Sequence, residues 1–147
     1  MTEDGTIFKR YPYRVSFNGC DLGILAGMPA IRVSRRCREM RLYDDAGGDE
    51  EAAEIVDARA TVEVTSCDIA TALGLVAAFS VGDNVLADER CGELVLAPPA
   101  ESGGGTLCFP RAALLPDLEY EPRSDNHRAK LTFRARPDEN GTLFSFA

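Results

Sequence analysis

The sequence predicts a mainly β protein, an antiparallel β-sandwich or barrel with one flanking α-helix and a long inter-strand loop. Three observations carry that expectation. In the stretch from Arg128 to Ala135, Ala129, Leu131, Phe133 and Ala135 alternate with Arg128, Lys130, Thr132 and Arg134, a period of two that belongs to a strand with one buried face. Asp57 to Cys67 repeats the pattern, with Ala60, Val62 and Val64 on one side and Arg59, Thr61, Glu63 and Thr65 on the other. Elsewhere short apolar segments are parted by Gly82-Asp83, Pro98-Pro99, Gly103-Gly104-Gly105 and Pro116, the punctuation of a sheet made of brief strands. The 147 residues are read as a single domain, 1–147, large enough to bury roughly two-thirds of the unfolded chain's surface.

Taken in order, Ile7 to Phe17 is the first expected strand, because Ile7, Tyr11, Tyr13, Val15 and Phe17 share a parity, with Lys9 interrupting and Arg10 and Arg14 opposite. Asn18-Gly19 supplies a turn pair that tolerates positive φ, and Gly23 and Gly27 keep the next segment from reading as regular structure. Ala30 to Tyr43 begins with Ile31, Val33 and Cys37 on odd positions and moves to Met40 and Leu42 on even ones. That slip predicts a long strand with a bulge near Arg38 or Glu39. Asp44 to Glu54, centred on Gly47-Gly48, is expected to be a long acidic loop. Ile69 to Phe79 is the helix, with Ile69, Leu73, Val76 and Ala77 at helical spacing and Asp68 or Ser66 as its cap. Val81 to Leu86, Glu93 to Ala97, Thr106 to Phe109 and Leu118 to Tyr120 are expected as short strands before the last one.

Sixteen Lys plus Arg against twenty-four Asp plus Glu give a formal charge of −8, a balance that repels nucleic acid phosphates. The basic outer face of the last strand then implies that negative charge gathers elsewhere, as in subunits that find one another by charge. The five cysteines lack metal-ligand spacing and are expected as free thiols of a reducing cytosol. The longest apolar run, Ile69 to Val81, is short of the ~20 residues that span a bilayer, so no membrane partner is expected.

Catalytic chemistry finds little support. His127 is the single histidine, opens the last strand and has no nucleophile motif beside it, so a surface or packing role is expected. Asp44, Asp45, Asp49, Glu50, Glu51 and Glu54 sit around two glycines, where acid–base carboxylates would lack fixed geometry. They also lack the ligand spacing of a calcium loop. Gly103-Gly104-Gly105 is followed by a strand and not by the helix that a phosphate loop needs. No enzyme, cofactor or metal is expected. The arginines Arg32, Arg35, Arg36, Arg38 and Arg41 form a charged strand, and its sharpest reading pairs them with the acidic loop of a neighbouring copy. A rival reading is a small β-sandwich that binds a ligand or partner through Tyr11, Tyr13, Tyr43 or Tyr120, weakened by the absence of tryptophan and an aromatic content of 7%.

The order of parts, an amino-terminal strand, a long strand leading to an acidic segment, a return strand, one helix and several β-elements, closes on the pattern Leu131-x-Phe133-x-Ala135-x-Pro137-Asp138-x-Asn140-Gly141-x-Leu143-Phe144. The chain from about Tyr13 onward resembles the tail tube proteins of long-tailed bacteriophages and phage-like particles, most clearly in Asp57 to Phe79, in Phe109-Pro-Arg-Ala-Ala and in Leu131 to Phe146. The resemblance implies a structural virion protein, made in the host cytoplasm. It would form homo-hexameric rings that stack with other tail proteins into a hollow tube, through which DNA passes without specific binding. It also implies that Arg41 to Ile55 reaches the neighbouring ring. Tail completion and head–tail joining proteins reuse similar sandwiches and share the expectation.

Overall fold

The computed structural model describes residues 13–43, 49–66, 68–99, 104–122 and 128–147, with only the backbone for 41–43 and 49–50. Eight strands, β1 (Arg14–Phe17), β2 (Cys20–Ile24), β3 (Ala30–Tyr43), β4 (Asp49–Ser66), β5 (Gly92–Ala97), β6 (Leu107–Glu121), β7 (Arg128–Ala135) and β8 (Ser145–Phe146), form one antiparallel sheet. Its order is β2-β1-β5-β6-β7-β4-β3, with β8 beside β6. The helix α1 (Ile69–Ala77) packs against β6 and β7. The architecture is mainly β with one helix, as the alternation predicts.

The sheet rolls until its β2 end meets β4. Leu25 bridges Ser66, and the Ala26 amide donates to the Thr65 carbonyl at 2.8 Å. The buried Ser66 hydroxyl donates to the Leu22 carbonyl and accepts from the Asp68 amide, both at 3.0 Å. The middle of β2, the end of β4 and the start of α1 are thereby held by one side chain. Inside lie Val15, Leu22, Val62, Val64, Leu94, Leu96, Phe109, Leu131 and Phe133, and Phe17 stands 5.1 Å from Phe133 in a tilted ring pair. The burial of Ala129, Leu131, Phe133 and Ala135 on β7, and of Ala60, Val62 and Val64 on β4, follows the period of two.

Local chemistry explains the turns. Asn18 (φ 51°) and Gly19 (φ 79°) form the β1–β2 hairpin turn, with the positive φ at both positions that matches strand twist. Opposite that turn a Cβ on Gly92 would lie 2.7 Å from the Asn18 Cβ, so β5 starts at glycine. Asp68 caps α1 by accepting from the Thr71 amide at 3.2 Å.

Several expectations are corrected. The first strand begins at Arg14 within the described residues, and residues 7–12 lie outside them. The segment after Gly19 is regular after all, forming β2. The β3–β4 register shifts between Arg36 and Cys37, and the additional residue, Val56, is on β4. The bulge expected near Arg38 or Glu39 is thus present as a register shift just before Arg38, with its extra residue on β4 instead of β3. The acidic loop is strand from Asp49 onward, and residues 44–48 are outside the described set. On α1 the core-facing residues are Ile69, Ala72, Leu75 and Val76, with Phe79 just beyond its end, while Ala77 is exposed. Residues 81–86 are turns, because Asp83 and Asn84 accept from the Ser80 and Leu86 amides and Gly82 has φ 98°. The two strands expected around Pro110 and Pro116 are one strand, β6. Each proline sits at a register shift, toward β5 near Pro110 and toward β7 near Pro116, where a missing N–H breaks no ladder bond.

Candidate assembly surface

Beyond the barrel wall β3 and β4 continue as a two-stranded ribbon, paired from Cys37↔Ile55 out to Tyr43↔Asp49. Most of its described side chains are exposed, Ile55 at 57%. An isolated two-stranded ribbon buries too little to hold itself, so it depends on the barrel at its root. There Val33 pairs with Ala60 and Arg35 with Ala58, and the Arg35 guanidinium stands 5.8 Å from the centre of the Phe144 ring.

The register brings the two groups of candidate residues together within one chain. Arg38 lies opposite Glu54, Arg41 opposite Glu51, Leu42 opposite Glu50 and Tyr43 opposite Asp49. Arg38 and Glu54 form an ion pair at 3.2 Å, both well exposed. Arg36 pairs with Asp57 and Arg32 with Thr61. The Asp57 carboxyl is held below its ordinary range, first by the hydrogen bond from Arg59, with their ion pair at 3.0 Å. Asp44 and Asp45 lie outside the described residues. The ribbon thus carries both signs of charge side by side, where the sequence read an arginine strand and a separate acidic loop.

The outer barrel wall shows the same mixing. Lys130 reaches Glu63 at 3.0 Å and Glu119 at 3.8 Å, and its pKa is raised chiefly by the hydrogen bond to Glu63. The basic face of β7 therefore meets acids from β4 and β6, and the charge separation expected from the sequence is smaller than the pattern suggests. Asp117 and Glu119 on β6 were missed in the sequence, though they alternate with Leu118 as a strand's outer residues should. Splitting β6 at its prolines hid them.

Arginines also fasten the segment after α1. Arg90 pairs with Asp83 at 2.8 Å and lies 4.9 Å from the Phe79 ring centre, Arg111 pairs with Asp88, and Arg136 donates to the Leu86 carbonyl at 2.7 Å. Burial, with the neighbouring Glu93, pushes the Cys108 thiol up to about 11. Of the tyrosines proposed as ligand platforms, Tyr13 packs against the core and Tyr120 is partly exposed. The side chain of Tyr43 and all of Tyr11 and His127 are outside the described residues. Among the described residues no group of three or more His, Cys, Asp or Glu is placed to hold a metal. No described helix is long and apolar enough to cross a membrane.

No protein-family model and no curated protein matches the chain. Solved structures share its fold. A chain of the anti-feeding prophage cap, the AFP tube terminating cap, matches with a TM-score of 0.56 at 7% identity, covering 100% of this chain and 95% of the other. A chain of the sheath/tube terminator of the PVC extracellular contractile injection system matches at 0.53 and 10% identity, covering 100% and 99%. A chain of the PVC sheath–tube complex matches at 0.51 and 8%, covering 97% and 92%. At these identities the likeness establishes the fold alone, over at least 92% of each chain.

Proposed function

We propose that this chain is a structural, non-catalytic component of a phage-like tail, a tube or tube-terminating subunit. Copies join into hexameric rings that stack with other tail proteins, leaving a bore through which DNA passes unbound. The observation that carries this reading is the agreement of fold over the whole chain with tube-terminating and sheath–tube components. The ribbon supports it, because the strands 37–43 and 49–55 build a long arm none of whose described side chains joins the core. Such an arm is costly for a lone monomer and useful as a joint. In this reading Asp44, Asp45, Asp49, Glu50, Glu51 and Glu54 meet the adjoining ring, and Arg32, Arg35, Arg36, Arg38 and Arg41 supply the opposite charge. The protein works in the particle tail, with no cofactor and no membrane contact.

Negative-stain electron microscopy of the purified protein tests the proposal. Rings or short tubes are the expected images. A protein that remains a 15.9 kDa monomer at high concentration, and that does not bind sheath or tube proteins, refutes it.

A further inference from the structure

The long β3 edge has a matching edge elsewhere on the same chain. Among the described residues β3, 14 residues long, pairs only with β4, and a strand edge of that length is a template for another strand. Two β3 edges cannot serve each other well, since Arg32, Arg35, Arg36 and Arg38 would face a second set of arginines. The fitting edge is acidic. On β6 the ladder with β5 ends at Ala112, while that with β7 breaks between Leu114 and Leu118, around Pro116, and resumes from Leu118 to Glu121. In between, residues 115–119 carry Asp117 and Glu119, the Glu119 side chain 78% exposed even with Lys130 3.8 Å away.

The faces agree as well as the charges. Glu119 lies opposite Lys130, which alternates with buried Ala129 and Leu131, so Glu119 is on the outer face of the sheet. Arg32 and Arg36 alternate with Ile31 and Val33, whose partners Val62 and Ala60 are buried, so they are on the outer face too. The inner face offers Ile31 and Val33, each 37% exposed, to the half-buried Leu118. We propose that β3 of one copy pairs with residues 115–119 of β6 in a second copy, arginines beside carboxylates outside and aliphatic side chains together inside. Because the two edges differ, the contact is heterologous and propagates until it closes into a ring or runs on as a filament. This inference rests on the self-assembling tail-subunit reading and names its joint.

Charge reversal tests it in the full chain. Wild type is expected to sediment as a multi-subunit assembly. R32E/R36E and D117K/E119K, each checked for folding by circular dichroism, are expected to sediment as monomers. The variant carrying all four changes, or an equimolar mixture of the two, regains assembly, because the opposed charges are restored in exchanged positions. Should a reversed variant fail to fold, the milder R32Q/R36Q and D117N/E119N pairs serve, each expected to raise the assembly concentration at least tenfold. A folded reversed or neutralised variant that assembles like wild type overturns the joint and leaves the tail-subunit reading standing. So does a folded four-fold variant that stays monomeric. A wild type that is monomeric under all conditions overturns both.

Discussion

Ser66 is the residue on which the barrel's closure turns. Its hydroxyl serves the Leu22 carbonyl and the Asp68 amide while fully buried, so Ser66→Ala strands two polar groups and is expected to cost about 1–3 kcal/mol, read as a lowered denaturation midpoint with unchanged slope. In the sequence Ser66 was visible only as a possible helix cap beside Asp68; its bond to Leu22 spans the barrel seam and has no local signature. Cys108 gives a second residue-level test. With its thiol pushed up to about 11 from 9.0, its thiolate fraction near neutrality falls about a hundredfold, and the thiolate is the reacting species. Iodoacetamide labelling followed by peptide mass spectrometry should find exposed Cys37 modified early and Cys108 late. The two ion-paired groups bound the pH range of this wall. Asp57, lowered on folding, adds stability above the unfolded carboxylate range that is lost as pH falls through its folded value. Lys130, raised on folding, adds stability below about 10.5 that is lost as pH rises through its folded value.

At the scale of elements, the ribbon and the barrel separate cleanly in energy. The described side chains of 37–40 and 51–55 contribute nothing to the buried core, whereas β4 from Ala58 onward supplies Ala58, Ala60, Val62 and Val64. Replacing residues 38–54 by Asn-Gly, between the opposed Cys37 and Ile55, should leave a folded barrel whose melting temperature moves by a few degrees while ring stacking is lost. Unchanged tube growth on micrographs would remove the ribbon from the joint. The strands that alternate cleanly, β4 and β7, were legible because each buries one face against the same core. The distal part of β4, Asp49 to Glu54, was not, since it carries no alternation of apolar and polar residues and its acids read as loop. The long β6 was hidden for another reason, its prolines looking like strand ends until the register shows that both occupy bulges. The candidate site was legible as composition, arginines here and acids there. Its geometry was not, because only the ladder shows Arg38 against Glu54 in one molecule.

At the scale of the whole molecule the question is how an acidic subunit behaves toward the polyanion it is proposed to conduct. Duplex DNA is held through its phosphates by clustered, uncompensated Lys and Arg. Here the net charge is −8, and several described basic side chains already have carboxylates beside them: Arg38 with Glu54, Arg59 with Asp57, Lys130 with Glu63, Arg111 with Asp88. A phosphate would have to displace a carboxylate that is covalently part of the same sheet. In the proposed ring, repetition multiplies the net negative charge while leaving each of these local pairs neutral, so the net field is repulsive to a duplex and fades beyond about 8 Å, the screening length at physiological salt. The assembled protein is therefore expected to leave a labelled duplex unretarded in a gel-shift experiment across about 0.05 to 0.2 M salt, with no slope of binding against salt to measure. Retardation that weakens as salt rises would expose a basic track along the bore, and the reading of the protein as a non-adhesive conduit would fall.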